Sequence, residues 1–291
     1  MSWLAFTVDV EEWFHVLDTD LAPAPATWNE QTVRVDRNTR VLLDQLDAAG
    51  VRGTFFTLGW IGERHPDLVR EVARRGHEVA CHGHEHVLAF RVGQKAFRED
   101  ARRAKRVLED VVGTEVAGYR AGGFSITPET PWAFDELAEA GFRYDSSVFP
   151  ARRGHGGFPG GLQVPHRILT PGGGGLVEFP IAPAGIGPWQ LPYSGGGYLR
   201  FFPSLLVRAC ARRSLARGVP VNIYVHPREV DPGQPRLPLP WKRRFMTYVN
   251  IGRGERKVKA LLAAFPAARF RRLGDVCGEI AADPLPTFRV S

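Results

Sequence analysis

Nowhere in the 291 residues is there a run approaching the roughly 20 apolar side chains that a membrane-spanning helix needs. Cysteine is scarce: Cys81, Cys210 and Cys277 are odd in number and widely spaced, which suits a reducing compartment better than a disulfide framework. The opening MSWLAFTVDVEEW sets acids directly after a short apolar stretch. It lacks the basic region and long apolar core of a secretion signal, so a cytoplasmic location is expected. No glycine-rich phosphate fingerprint follows the first apolar run, and the Gly172 to Gly175 run follows no strand-to-helix junction, which argues against nucleotide binding. Zinc-finger, RRM and helix-turn-helix signatures are absent too, as is any convincing internal repeat.

What is present is an ordinary folded composition, 44% hydrophobic and 24% charged, in a chain long enough for one sizeable core or two modest ones. The formal charge of +7 would attract nucleic acid, anionic lipid or an acidic polymer. It is spread over patches such as Arg102-Arg103-Lys105-Arg106, Arg212-Arg213 and Lys242-Arg243-Arg244. The first lies on the polar face of an amphipathic segment, so these patches read as solvated surface and no nucleic-acid partner is expected.

From Leu4 onward, short apolar runs alternate with segments of helical period, the pattern of parallel strands joined by helices. Strands are expected at Leu4 to Val8, Gly53 to Thr57, Glu78 to Cys81, Val116 to Tyr119, Phe142 to Tyr144, Val221 to Val225 and near Phe270. Helices are expected at Thr39 to Ala49, Pro66 to Arg75, Phe97 to Val111, Trp132 to Ala140, Leu205 to Arg217 and near Lys257 to Ala264. A Gly/Pro-rich stretch from about 150 to 203 breaks the rhythm and reads as an insertion in one domain spanning 1–291. Ionisable residues sit at five strand ends: Asp9, His82, Arg120, Asp145 and His226. That distribution favours the rim of an α/β barrel over the crevice of an open doubly wound sheet.

Two of these strand ends carry chemistry-bearing patterns. Cys81-His82-Gly83-His84-Glu85-His86 puts His82 and His86 at i and i+4, on one face if the segment turns helically. Neutral imidazoles bind zinc and its neighbours, and a catalytic zinc usually has three protein ligands plus water. Thr7-Val8-Asp9-Val10-Glu11-Glu12-Trp13 ends a buried strand with three carboxylates. One could complete a two-histidine site while another, held off the ion, takes a proton from its water. Taken singly, each pattern also reads as a polar loop; the two together are far more specific.

Carried by five ordered motifs, the chain resembles the polysaccharide deacetylase family, also called NodB-homology or carbohydrate esterase family four. The motifs are TVDVEEW, HGHEH, GYRAGGFSIT, YDSSVFP and NIYVHP, spanning Leu4 to about Pro232. The pattern is particularly similar to a subfamily of exopolysaccharide and exosortase loci. The resemblance implies a distorted (β/α) barrel of about seven strands and removal of N-acetyl groups from an amino-sugar polymer or its precursor. It also implies a divalent metal ion, with zinc expected. By the same resemblance Asp9 would be the general base, Glu11, His82 and His86 the metal ligands, and Arg120 the partner that holds Asp9 ionised. His226 would be the general acid, and Asp145 would orient His226 or grip the sugar.

The chain departs from the family where the common Asp-Asp pair is Asp-x-Glu-Glu, which leaves Glu12 as an alternative ligand. Ala121-Gly122-Gly123 stands where relatives have a proline after the arginine, which would loosen a pocket wall. His84 would point away from the other two histidines, and His15, His155 and His166 read as structural or surface groups. Trp13-Phe14 would stack on a sugar or pack under the first loop, and Cys81 reads as a small core residue. Trp189, Tyr193 and Tyr198 fall in the long stretch, where a substrate-binding loop is plausible. Two other readings are a hydrolase of a cyclic amide, formyl group or O-acetyl ester, and a carbohydrate-binding barrel without turnover.

Overall fold

The computed structural model describes residues 3–151, 156–170, 172–173, 175–186, 189–280 and 284–290. In chain order the strands are β1 (Leu4–Val10), β2 (Thr54–Thr57), β3 (Glu78–Cys81), β4 (Gly118–Tyr119), β5 (Tyr144–Asp145), β6 (His166–Leu169), β7 (Gly175–Glu178), β8 (Ala184–Ile186), β9 (Trp189–Leu191), β10 (Val221–Val225) and β11 (Thr287–Arg289). All but β8 and β9, which form a separate hairpin, join one sheet in the order β10-β1-β2-β3-β4-β5-β7-β6-β11. The run from β10 to β7 is seven strands, every neighbouring pair parallel. The architecture is therefore α/β with the expected strand number.

Among the described residues no ladder joins β10 back to β7, so the barrel is open between them. Side chains cross that gap instead: Asn222 Nδ2 on β10 donates to Ser146 Oγ at 3.0 Å and to the Phe179 carbonyl at 3.3 Å. Such a crossing is stable only because each buried polar group finds a partner.

The period of two in β1 sorts its residues between two cores. Leu4, Phe6, Val8 and Val10 pack outward with Leu42, Leu46, Leu108 and other helix residues. Ala5 points inward to a second cluster with Phe56, Ala80, Tyr144, Val177 and Phe179, closed by Leu273, Val276 and Cys277 of helix Leu273–Ile280. Above this apolar floor the same inward face continues with Thr7 and Asp9. Gly118 is required here, because a Cβ at that position would lie 2.0 Å from the Tyr144 ring.

Several elements differ from expectation. β1 runs on to Val10, so Asp9 lies within the strand, and Phe270 forms only an isolated bridge to Leu4. The stretch from 150 to 203 holds β6 to β9 and helix Gly196–Phe201, and β7 is the last member of the parallel run. Its glycines and prolines hide strands too short to show a period. Helices Gly59–Arg64 and Trp241–Tyr248 also went unread.

Candidate active site

Asp9, Glu11, His82, His86 and His226 line one cavity of about 300 Å³ at the carboxyl ends of β1, β3 and β10. Asp9 is nearly fully buried, and its Oδ1 accepts from Arg120 Nη1 at 2.7 Å. Arg120 is itself wholly buried, with every donor aimed at an acceptor. Nε and Nη2 donate to the Ser146 carbonyl and hydroxyl at 3.2 and 2.9 Å, Nη1 also reaches Thr7 Oγ1 at 2.8 Å, and Nη2 reaches Asn222 Oδ1 at 3.4 Å. The guanidinium stacks 4.0 Å from the Phe56 ring centroid. Its five fixed donors make it the tie across the open barrel. Burial alone would raise the Asp9 carboxyl, but Arg120, by charge and hydrogen bond, together with His82 and His226 outweighs it and holds the group below its ordinary value.

Glu11 follows β1 on the same face as Asp9. Its Oε1 lies 2.9 Å from His226 Nε2, while its buried Oε2 has no hydrogen-bond partner. One atom each of Glu11, His82 and His86 lies within 4.8 Å of the other two. The ring Nδ1 of His82 is 2.8 Å from the Arg120 carbonyl, and that of His86 is 2.9 Å from the His15 carbonyl. Each carbonyl takes an N–H and leaves a lone pair on Nε2, the second-partner arrangement that fixes metal-binding histidines. His86 Nε2 is buried without a partner. Burial lowers both rings, His86 to about 4, so they are neutral and ready to ligate at pH 7. Two orphaned buried atoms among one carboxylate and two neutral imidazoles fit a divalent ion of the zinc type.

The histidines do not meet on a helix. The loop after β3 bends through left-handed φ values of +80° at Gly83 and +54° at His86. A non-glycine residue held there is strained and must be over-determined by its surroundings. Gly122 supplies part of that surrounding, because a Cβ on it would lie 2.8 Å from His86 Cδ2. Of the glycine pair expected to loosen a wall, Gly122 makes room for His86.

Glu12 does not line the cavity. Its Oε1 accepts the backbone N–H groups of Arg34 and Val35 at 2.6 and 2.8 Å, capping helix Val35–Ala48 from outside that segment. Nor does Asp145 orient His226. Its oxygens accept from the Ser147 backbone and hydroxyl at 2.9 and 2.7 Å, and it does not line the cavity. Glu229 takes that place, with Oε1 3.0 Å from His226 Nδ1. Burial would lower His226, but Glu11 and Glu229 outweigh it and lift the imidazole to about 9. Glu229 lies three residues past His226, a spacing that a single turn brings together, and it was missed for want of a helical signal.

The remaining side chains divide cleanly. Tyr198 lines the cavity, whereas Tyr193 is buried and donates to Ser214 Oγ at 3.3 Å. His15 also lines it, buried, against Phe14, Trp28 and Trp60. Trp13 and Phe14 pack in the core. His84 is buried beside Glu63, away from the cavity, and His166 is buried on β6. His155 and the side chain of Trp189 lie outside the described residues. Arg243 was read as solvated surface but lines the cavity and ties the Leu17 and Asp18 carbonyls to helix Trp241–Tyr248.

Known proteins resemble the chain in the same terms. The polysaccharide deacetylase family model matches residues 25–144, and a second, described as a domain of unknown function (DUF3473), matches 146–276. A peptidoglycan-N-acetylglucosamine deacetylase of Bacillus cereus is 29% identical over 75 residues, 26% of this chain and 27% of that protein. The chain therefore spans about a quarter of that relative's length. A solved structure from Mycobacterium smegmatis, assigned to the polysaccharide deacetylases, superimposes with a TM-score of 0.66 at 22% identity, over 99% of this chain and 93% of that one. The PuuE allantoinase gives 0.62 at 17% identity, over 97% and 90%. At these identities the two structures speak for the fold.

Proposed function

We propose that this chain, which belongs to the polysaccharide deacetylase family, hydrolyses N-acetyl groups of an amino-sugar polymer with a divalent ion held by Glu11, His82 and His86. The observation that carries the proposal is the pair of orphaned buried atoms, Glu11 Oε2 and His86 Nε2, beside an ionised Asp9 and a charged His226.

When bound, a divalent ion polarises the acetyl carbonyl and acidifies water. Asp9 receives the proton that water loses as it adds to the carbonyl carbon. Arg120 keeps Asp9 ionised and aimed for that transfer. His226, charged between Glu11 and Glu229, gives its Nε2 proton to the amide nitrogen as the C–N bond breaks, so that acetate and a free amine leave. An amine departs poorly as an anion, which is why the reaction needs an acid as well as a base. The site draws on both family-matched segments and on β1, so the catalytic domain is proposed to extend over the whole chain.

The test is acetate release from N-acetylglucosamine oligomers, with elemental analysis of protein purified without chelator. One ion per chain and acetate loss that chelator abolishes are expected. Metal-free protein with unchanged turnover in strong chelator would refute the metal role, and activity confined to a cyclic amide or an O-acetyl ester would refute the substrate. His226→Ala should slow amide cleavage more than cleavage of an activated aryl ester.

A further inference from the structure

The excess positive charge is not spread evenly. Residues 179–254 hold eleven Lys and Arg against two acids, Glu229 and Asp231, so the rest of the chain is slightly acidic. The same segment carries most of the large apolar side chains left in solvent: Phe201, Leu205, Trp241, Phe245 and Met246, with Trp241 75% and Leu205 71% exposed. They form one patch. Helices Gly196–Phe201 and Trp241–Tyr248 are tied together by Arg200, which donates to the carbonyls of Met246, Thr247 and Val249. The rings of Phe201 and Phe245 meet edge to face at 6.0 Å. Leu205 stands at the start of the next helix, Ser204–Ala216, four residues after Phe201, and Trp241 lies one turn before Phe245.

Cations frame the patch, Lys242 lying 5.6 Å from the Trp241 ring centroid and Arg236 5.3 Å from that of Tyr248. Arg236, Lys242 and Arg244 are exposed and enter no ion pair among the described residues. Arg236 and Arg244 also border a shallow hollow whose other walls are Trp241, Phe245, Tyr248 and Val249. A tryptophan and aliphatic groups standing out of a basic surface are the composition of an interfacial membrane anchor. Leu205 and Met246 offer no ring face on which a sugar could stack, so lipid fits the patch better than glycan.

We infer that this face docks on a bilayer containing anionic lipid. Trp241, Phe245 and Leu205 enter the headgroup boundary while Arg236, Lys242 and Arg244 meet phosphate. Among the described residues no helix is long and apolar enough to cross a membrane, so the contact is with the surface. Helix Trp241–Tyr248 also gives Arg243, Met246 and Thr247 to the cavity lining. A bilayer held by one side of this helix therefore lies beside the site on the other.

Co-sedimentation with vesicles tests the inference without any turnover, so the outcome is independent of the deacetylase reading. Binding to phosphatidylglycerol–phosphatidylcholine vesicles is expected, weakening with salt, and much less binding to phosphatidylcholine alone. Lys242→Gln with Arg244→Gln should weaken binding by roughly thirtyfold. Trp241→Ser should also weaken it while leaving the unfolding temperature unchanged, since that side chain is 75% exposed. Absence of vesicle binding, equal binding by the variants, or retention on an acidic polysaccharide but not on vesicles would overturn the inference.

Discussion

One sheet buries two pairs of carboxylates in opposite ways. At the mouth, Asp9 and Glu11 face cationic groups, lie below their ordinary values, and leave Glu11 Oε2 without a hydrogen bond, with His86 Nδ1 3.4 Å away. For Glu11 burial pushes upward, and His86, His226 and Arg228 together outweigh it. Along β5 and β7, Asp145 and Glu178 are as deeply buried but lie above their ordinary values, because burial prevails at both and the Asp145 charge adds to it at Glu178. Burial holds the Glu178 carboxyl well above its ordinary value, and its Oε1 accepts the Val148 N–H at 3.0 Å. Burial of acids alone therefore does not mark a reactive site. Charge held on an acid by arginine or histidine at the mouth of a cavity does.

The sharpest test of that contrast is Asp9→Asn, which keeps the shape but not the charge. Turnover should fall by roughly 10²–10⁴-fold with metal content intact. Glu11→Gln should lose metal instead, with partial rescue by excess zinc, and metal stoichiometry beside turnover separates the two. Reversed outcomes would exchange the roles of the two acids.

A smaller loss is expected at Gly122→Ala. Its methyl would displace the His86 ring, and metal affinity should fall by about 10–100-fold, the usual effect of disturbing a ligand's support. Titration with a metal indicator dye measures this, and unaltered affinity would show that His86 tolerates movement. Glu229→Gln should cost about tenfold in amide turnover and move the basic limb of the pH–rate profile to lower pH, since His226 loses one of the charges that raise it. An unshifted limb would remove Glu229 from the acid's support.

The smallest effect belongs to the other pair. Glu178 is raised above 4.5, so the native chain holds a proton that the unfolded chain releases. Its contribution is whole below about 4.5 and is lost as pH rises toward the folded value. Denaturant unfolding at pH 5 and pH 8 should show wild type losing stability relative to Glu178→Gln as pH rises. Turnover of that variant should stay near wild type. A large activity loss in a stable Glu178→Gln protein would erase the distinction between the two pairs.

Much of the site was legible in the linear order of residues. Strands read from apolar runs, such as Glu78–Cys81 and Val221–Val225, were correctly bounded, and the polar residues just past them reached one cavity. That follows from parallel strands, whose carboxyl ends all lie at the same face. Asp9, Glu11, His82, His86, Arg120 and His226 were named on that logic together with the family motifs. Their roles are for the variants above to decide.

What the order of residues could not fix were the directions of side chains outside regular elements. Glu11 and Glu12 are adjacent and chemically alike, yet one faces the cavity and the other caps a helix, because a strand end sends neighbours to opposite sides. Asp145 and Glu229 exchanged places for a similar reason. Asp145 lies in a strand of two residues and turns to Ser147, while Glu229 reaches His226 through a short turn that no period announces. The sequence by itself determined which strands are buried and parallel, since that depends on apolar runs and their spacing. Only the tertiary structure decided which acid meets which cation, because that depends on φ values at Gly83 and His86 and on the space left by Gly122, which no pattern of residue types encodes.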